Sequence, residues 1–126
     1  MQCAPFLRMR KRVIKLLREM FDNVNPEVEH CIVVGVDQRG QVLCASVIAS
    51  GVRDGVLISP TEVFRSAILA RAQAVYVAHN HPCGSLEATE DDWDATAKLV
   101  RGGVILGIRL EDHFIFTRRR HRALLG

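Results

Sequence analysis

The sequence predicts a mixed α/β fold, in which helices flank a β-sheet. Runs rich in β-branched residues alternate along the chain with stretches whose apolar residues recur at helical spacing. The 126 residues, of which 48% are hydrophobic and 25% charged, suffice for one core and are too few for two ordinary domains. No internal repeat or low-complexity tract competes with this interpretation. We therefore expect one domain over residues 1–126.

The first part of the chain is predicted to form a helix and a β-hairpin. Residues 6–21 place apolar side chains at helical spacing with basic residues between them, which indicates an amphipathic helix. Residues 29–37 and 41–49 are two strand patterns joined by Gln38-Arg39-Gly40. A connection this short makes the two strands antiparallel neighbours.

The second part is predicted to alternate helices and strands. Ser59-Pro60-Thr61-Glu62 is a helix start with a cap, a proline and a glutamate in the favoured order, and that helix should reach about residue 72. A strand over residues 74–78 then leads into His79. We expect a helix over residues 89–101, ended by Gly102-Gly103, and strands near residues 104–110 and 112–117.

The most informative stretch is His79-Asn80-His81-Pro82, followed by Thr89 and Asp92. On a strand, side chains two residues apart share a face, so His79 and His81 point the same way. Asp92 falls in the first turn of the helix that follows. Two imidazoles and one carboxylate are a common zinc ligand set, and three protein ligands leave the fourth tetrahedral position open for water. We therefore predict a catalytic zinc site on His79, His81 and Asp92.

The same residues also allow a structural interpretation. Thr89-x-x-Asp92 is a helix-capping pattern, in which both side chains satisfy free N–H groups at a helix start. His79 and His81 could be two surface histidines at a strand end. The combination favours metal binding, because one geometry accounts for the histidine pair, the loop and the acidic helix start together.

The spacing of these residues resembles the metal motif of the JAMM (MPN+) metallopeptidases. Seven residues, Pro82 to Ala88, separate His81 from Thr89, and the run from His79 to Gly84 resembles the RadC-like branch of that family. The resemblance extends over about residues 27–117, which would form the metal-site core between a basic helix (1–22) and a basic tail (118–126). It implies a three-layer α-β-α fold, similar to the cytidine-deaminase-like architecture, and zinc-dependent hydrolysis of amide or isopeptide bonds.

The resemblance also implies two catalytic residues. Family members carry a glutamate just before an apolar strand, and Glu29 fits that place. It would take a proton from the zinc-bound water and pass it to the leaving amine, whereas the structural alternative is a surface glutamate. Thr89 would donate its hydroxyl to the oxyanion of the tetrahedral intermediate. His30 and His113 are expected to be structural, with His113 holding a strand end.

The sequence departs from the family pattern in three ways. Thr89 stands where the family usually has serine, which keeps the hydroxyl and adds a methyl group. Cys83 occupies a loop position that is usually serine, and it brings a thiol close to the expected metal. The helix-hairpin-helix region that precedes the metal domain in full-length RadC proteins is expected to be missing, with a short basic segment in its place.

Charge is concentrated at the two ends of the chain, although the formal net charge is only +3. Residues 1–20 carry six Lys or Arg and one Glu, residues 118–126 carry four Arg and no acid, and residues 21–117 carry seven basic and thirteen acidic residues. The structural interpretation is a solvated helix face and a frayed tail. The functional one is a contact for nucleic acid or an acidic protein. No aromatic residues are interleaved with the basic ones, which disfavours stacking on single strands.

Three functions therefore compete. The leading hypothesis is a zinc hydrolase that acts on a peptide or protein. The second, implied by the DNA-repair naming of the RadC family, is a DNA-associated accessory protein whose basic termini contact nucleic acid. The third is a nucleic-acid hydrolase or deaminase, but the deaminase pattern needs a Pro-Cys-x-x-Cys ligand pair and no second cysteine follows Pro82-Cys83.

The sequence also indicates the cellular compartment, the state of the cysteines and the oligomeric state. No apolar run approaches the roughly 20 residues that span a bilayer, and the N-terminus is too basic for a signal peptide, so we expect a cytoplasmic protein without membrane association. The four cysteines show no paired spacing, and Cys31 and Cys44 fall in apolar strand patterns, so no disulfide framework is implied. A monomer or a homodimer is expected.

Overall fold

The computed structural model describes residues 4–52 and 56–126. Within these residues the helices and strands follow one another as α1 (Ala4–Asp22), β1 (His30–Val36), β2 (Val42–Ser50), α2 (Pro60–Leu69), β3 (Ala74–Asn80), α3 (Glu90–Leu106), β4 (Arg109–Phe116) and β5 (His121–Ala123). The predicted amphipathic helix, the hairpin and the strand that leads into His79 are confirmed, with boundaries shifted by one or two residues.

The strands form a mixed sheet in the order β2-β1-β3-β4-β5. The β1–β2, β1–β3 and β4–β5 pairs are antiparallel, whereas β3 and β4 are parallel and are connected through α3. The β1–β2 turn closes through a hydrogen bond from the Gly40 N–H to the Asp37 carbonyl, and Gly40 adopts a φ of 82° that favours glycine. The predicted mixed α/β class is therefore confirmed.

Helices cover both faces of this sheet. On one face, Val13 and Leu17 of α1 are fully buried against β1, β3 and β4. On the other face, Val63 of α2 and Leu99 of α3 are fully buried in a second apolar cluster. The layers are therefore α-β-α, as predicted, and α1 is part of the core as well as a carrier of basic residues.

The predicted boundary at Gly102-Gly103 is wrong, because α3 continues through both glycines to Leu106 and no strand begins at residue 104. Both glycines are needed for close packing. A Cβ on Gly103 would lie 2.3 Å from the Ile108 carbonyl oxygen, and one on Gly102 would lie 2.7 Å from the Phe64 ring. The helix ends instead at Gly107, which adopts a φ of 72° as the C-cap.

The end of α2 also differs from expectation. Helix α2 ends at Leu69, short of residue 72, because Arg71 adopts a φ of 57°. The N–H groups of Arg71 and Ala72 then return to the carbonyls of Ile68 and Ala67, a common way to close a helix.

The interpretation of residues 118–126 as a frayed tail is also wrong. Residues 121–123 form β5, which pairs with β4, and Leu124 is buried. In the part of the chain that the structure describes, no helix is both long enough and apolar enough to cross a membrane.

Candidate metal centre

The ends of β3 and α3 bring three ligand groups into a compact triangle. The Nε2 atoms of His79 and His81 lie 3.0 Å apart, and carboxylate oxygens of Asp92 lie 3.1 Å from the first and 3.2 Å from the second. Ligand atoms around a tetrahedral zinc ion with bonds of 2.0–2.1 Å are about 3.3 Å apart. The three predicted ligands therefore form a group that could hold a metal ion of this size.

The loop after His81 fixes the orientation of its ring. The His81 N–H donates to the Phe116 carbonyl at 2.9 Å, and the chain then turns at Gly84, whose φ is 86°. This turn places the Ser85 carbonyl 2.9 Å from His81 Nδ1. A carbonyl only accepts, so Nδ1 carries the proton and the Nε2 lone pair faces the other ligands.

Asp92 both caps α3 and faces the two histidines. The Thr89 N–H donates to Asp92 Oδ2 at 2.9 Å, and the Asp92 N–H donates to Thr89 Oγ1 at 3.1 Å. Burial acts to raise the pKa of Asp92, but the hydrogen bond that a protonated His79 donates, the charge of that ring and the Thr89 N–H outweigh burial and hold that pKa well below its usual range. The capping interpretation and the ligand interpretation are therefore compatible, and the cap positions an ionised carboxylate.

A chain of buried hydrogen bonds supports His79 from behind. The Thr96 hydroxyl donates to the Asp92 carbonyl at 2.8 Å and lies 2.6 Å from His113 Nδ1, and His113 Nε2 lies 2.8 Å from His79 Nδ1. The hydroxyl proton is committed to a carbonyl, so His113 Nδ1 must donate to Thr96 and His113 Nε2 must accept from His79. When His79 carries only this proton, its Nε2 lone pair is directed at His81 and Asp92.

His113 is not among the grouped ligands, which agrees with the structural role expected of it, but its ring does more than hold a strand end, because it contacts the predicted ligand His79. Burial, followed by the charge that His79 carries when protonated, lowers the pKa of His113 to about 3, so the His113 ring is neutral and can accept a hydrogen bond from His79. Carboxylates or carbonyls more often occupy such a supporting position. The inward-facing position of His113 on β4 could have indicated this role from the sequence. Its contact with His79, however, depends on the parallel pairing of β3 with β4.

Glu29 lines the same cleft as the three ligands and Thr89, a cavity of about 600 Å³. Asn80, whose importance the sequence analysis missed, holds the backbone on both sides of Glu29. Its Oδ1 accepts from the His30 N–H at 2.7 Å, and its Nδ2 donates to the Val28 carbonyl at 2.9 Å. The Glu29 carbonyl itself accepts from the Gly51 N–H at 2.7 Å. The segment that carries Glu29 is thus tied to the strand end that carries the histidines.

The remaining candidates have simpler positions. The ring of His30 bonds to the Ser50 hydroxyl at 2.8 Å and to the Asn25 carbonyl at 2.9 Å, which agrees with the expected structural role. Cys83 is exposed on the loop after His81 and is not among the grouped ligands. Among the described residues, Cys31, Cys44 and Cys83 are free thiols, and Cys3 lies outside them.

Known proteins resemble this chain over most of its length. A family model described as a RadC-like JAB domain matches residues 7–125. A UPF0758 protein from Rubrobacter xylanophilus is 36% identical over 125 residues, covering 95% of this chain and 54% of that protein. Others from Methanospirillum hungatei (36% over 108 residues) and Thermotoga maritima (39% over 108 residues) each cover 86% of this chain, and 48% and 47% of their own lengths.

The chain spans about half the length of the curated relatives it matches. The family match, by contrast, includes most of α1, all the residues of the candidate metal centre and the basic segment after β4. The chain therefore belongs to the RadC-like JAB domain family.

Proposed function

We propose that this protein is a zinc-dependent hydrolase of amide or isopeptide bonds. The observation that carries the proposal is the triangle of His79, His81 and Asp92 at the wall of a cleft that Glu29 and Thr89 also line. Metal-assisted hydrolysis uses three kinds of side chain: ligands that bind a cation, a carboxylate that is not a ligand, and a hydroxyl.

The donor chemistry of the triangle fits zinc. When both histidines are neutral, their Nε2 lone pairs face each other across 3.0 Å, an arrangement that is repulsive unless a proton or a metal cation lies between them. Two neutral imidazoles and an ionised carboxylate match the ligands of catalytic zinc sites. When bound, zinc would act as a Lewis acid and lower the pKa of its water to near 7.

Glu29 would serve as the general base and then the general acid. Its side chain is partly buried and lines the cleft, while the ligand group is complete without it. A carboxylate in that position accepts a proton from the attacking water and delivers it to the leaving amine. Asn80 would act as a positioning residue, because its two hydrogen bonds fix the backbone before and after Glu29.

Thr89 would donate to the oxyanion that forms as the carbonyl is attacked. Its Oγ1 accepts the Asp92 N–H, which leaves the hydroxyl proton available, and the residue is exposed at the cleft. A hydroxyl fixed by such a bond needs little reorganisation to meet a developing negative charge.

The test is turnover of a library of quenched fluorogenic peptides and isopeptide-linked peptides by the zinc-loaded protein. We expect cleavage that a chelator abolishes and zinc restores. Glu29→Gln should retain zinc and lose roughly 10²- to 10⁴-fold in turnover. Glu27→Gln is the matched control, since Glu27 is exposed two residues away and should leave turnover unchanged. Equal turnover by the two variants would remove Glu29 from the mechanism.

A further inference from the structure

A second cavity, of about 450 Å³, lies on the other side of the loop that carries His81. The end of α1, the residues from Asn80 to Gly84 and the turn after β4 form its walls. His81 lines both this cavity and the metal cleft, so the two cavities adjoin at the loop that carries His81. We call it the arginine pocket, because Arg18, Arg118, Arg119 and Arg120 line it.

Arg18 holds the turn after β4 in place. Its guanidinium donates to the carbonyls of Thr117 at 2.7 Å, Arg118 at 3.2 Å and Arg120 at 3.1 Å, and it lies over the Phe116 ring. The Thr117 N–H and the Arg120 carbonyl close the turn at 2.9 Å. These bonds direct three carbonyl oxygens at the Arg18 guanidinium.

The positive charge of the arginine pocket is not balanced by ion pairs among the described residues. No carboxylate of the described residues lies within ion-pair distance of any of its four arginines, and Asp22 is the one acidic residue among those that line it. The metal cleft has the opposite balance, since Glu29, Asp91, Asp92 and Asp94 line it with a single lysine, Lys98. Charge therefore changes sign across the His81 loop.

From this arrangement we propose that the arginine pocket binds an acidic group of the peptide substrate, a carboxylate or a phosphoryl group close to the bond that is cut. The inference rests on the proposed function, because it takes a peptide at the metal as given. Arginine side chains fit both oxyanions through paired N–H donors. A substrate that extends from the metal past His81 would place its next residues in the pocket.

Shape and position favour a peptide over nucleic acid. The cavity is concave and at the lower end of the volumes typical of ligand sites, so it can admit one or two side chains. A duplex presents a broad convex surface that would touch only the rim. The pocket also adjoins the candidate reaction centre, because His81 lines both cavities, whereas a surface for anchoring DNA needs no such connection.

The test is fluorescence anisotropy with the zinc-loaded protein and three labelled decapeptides that differ at four positions, which hold Glu, Gln or phosphoserine. A 16-base-pair DNA duplex is the fourth probe. The test variant is Arg118→Ser with Arg119→Ser, since both side chains are exposed, whereas Arg18 and Arg120 make structural hydrogen bonds. The matched control is Arg39→Ser with Arg101→Ser, which removes two exposed arginines that do not line the pocket.

We expect the Glu peptide to bind more tightly than the Gln peptide. The test variant, unlike the control variant, should weaken binding of the Glu peptide by about fivefold, the loss expected for two exposed charge pairs. Stronger binding of the phosphoserine peptide, lost in the same variant, would equally support the pocket and identify phosphoryl as the preferred group. Equal binding of Glu and Gln peptides, or equal losses in test and control variants, would overturn the proposal.

A DNA duplex that binds more tightly than either acidic peptide and depends on Arg118 and Arg119 would overturn it too, and would assign the surface to nucleic acid. Because anisotropy reads binding without turnover, failure to detect hydrolysis would leave these results interpretable. Loss of the acidic preference would likewise leave the hydrolysis test standing.

Discussion

His113 Nε2 lies 2.8 Å from His79 Nδ1, and this bond decides which nitrogen of His79 is free to bind a metal. The ring of His113 is in turn fixed by Thr96, whose hydroxyl bonds to the carbonyl of Asp92. One chain of hydrogen bonds therefore joins two of the three candidate ligands through residues that are not ligands themselves. Removing such supports typically lowers metal affinity by roughly 10- to 100-fold.

The first prediction is that His113→Leu lowers zinc affinity by roughly this factor while His79, His81 and Asp92 remain intact, because the acceptor that orients His79 is lost. Competition with a chromophoric chelator measures the affinity. His121→Leu is the control, since His121 is exposed and lies outside the hydrogen-bond chain. Unchanged zinc affinity in His113→Leu would show that the ring of His79 is oriented by other contacts.

The second prediction concerns Asn80, whose amide bonds to the His30 N–H and the Val28 carbonyl. Asn80→Ala should lower the free energy of unfolding by about 1–3 kcal/mol, because it leaves buried backbone groups without partners. Turnover should also fall, since Glu29 loses its fixed backbone, while zinc content stays the same. Denaturant titration, metal analysis and kinetics separate these effects, and a variant with full turnover would show that Asn80 serves stability alone.

The third prediction is that Gly103→Ala destabilises the protein, although alanine is the better helix former by about 1 kcal/mol. The added Cβ would lie 2.3 Å from the Ile108 carbonyl oxygen, which is backbone and cannot move aside freely. We expect a loss of about 1–3 kcal/mol, as for other overpacked sites. Thermal unfolding beside the wild type measures it, and a higher melting temperature would contradict the packing described for α3.

The fourth prediction is a sharp difference in thiol reactivity. Burial raises the pKa of Cys31 to about 12, whereas Cys83 is exposed on the loop after His81. At pH 8, iodoacetamide should modify Cys83 in the folded protein and Cys31 only after unfolding, as peptide mapping by mass spectrometry would reveal. Rapid labelling of Cys31 at pH 8 would contradict its burial.

Burial of Cys31 also affects stability at high pH. Above about pH 9 the thiol of Cys31 ionises in the unfolded protein but stays protonated in the folded one, so this residue should lower the free energy of unfolding as pH rises toward 12.

Local patterns explain why much of the site was predictable from the sequence. The shared face of His79 and His81 follows from the two-residue period of a strand, and the position of Asp92 follows from the cap that Thr89 begins. The β1–β2 hairpin follows from its short connection. Each of these inferences needs only residues that are close along the chain.

The features that sequence analysis missed depend on contacts between distant residues. His113 is 34 residues from His79, and their contact requires the parallel register of β3 and β4. The continuation of α3 through Gly102-Gly103 depends on packing against Ile108 and Phe64. The strand β5 forms because β4 offers it a pairing edge, which basic composition does not reveal.

The most direct test of the account is the zinc content of the purified protein, measured by inductively coupled plasma mass spectrometry after removal of loosely bound metal. We predict one zinc per chain in the wild type and in Glu29→Gln, and essentially none in the variant that combines His79→Ala with His81→Ala. Circular dichroism would verify that this variant is folded. Stoichiometric zinc in the folded double variant would contradict the assignment of the site to His79, His81 and Asp92.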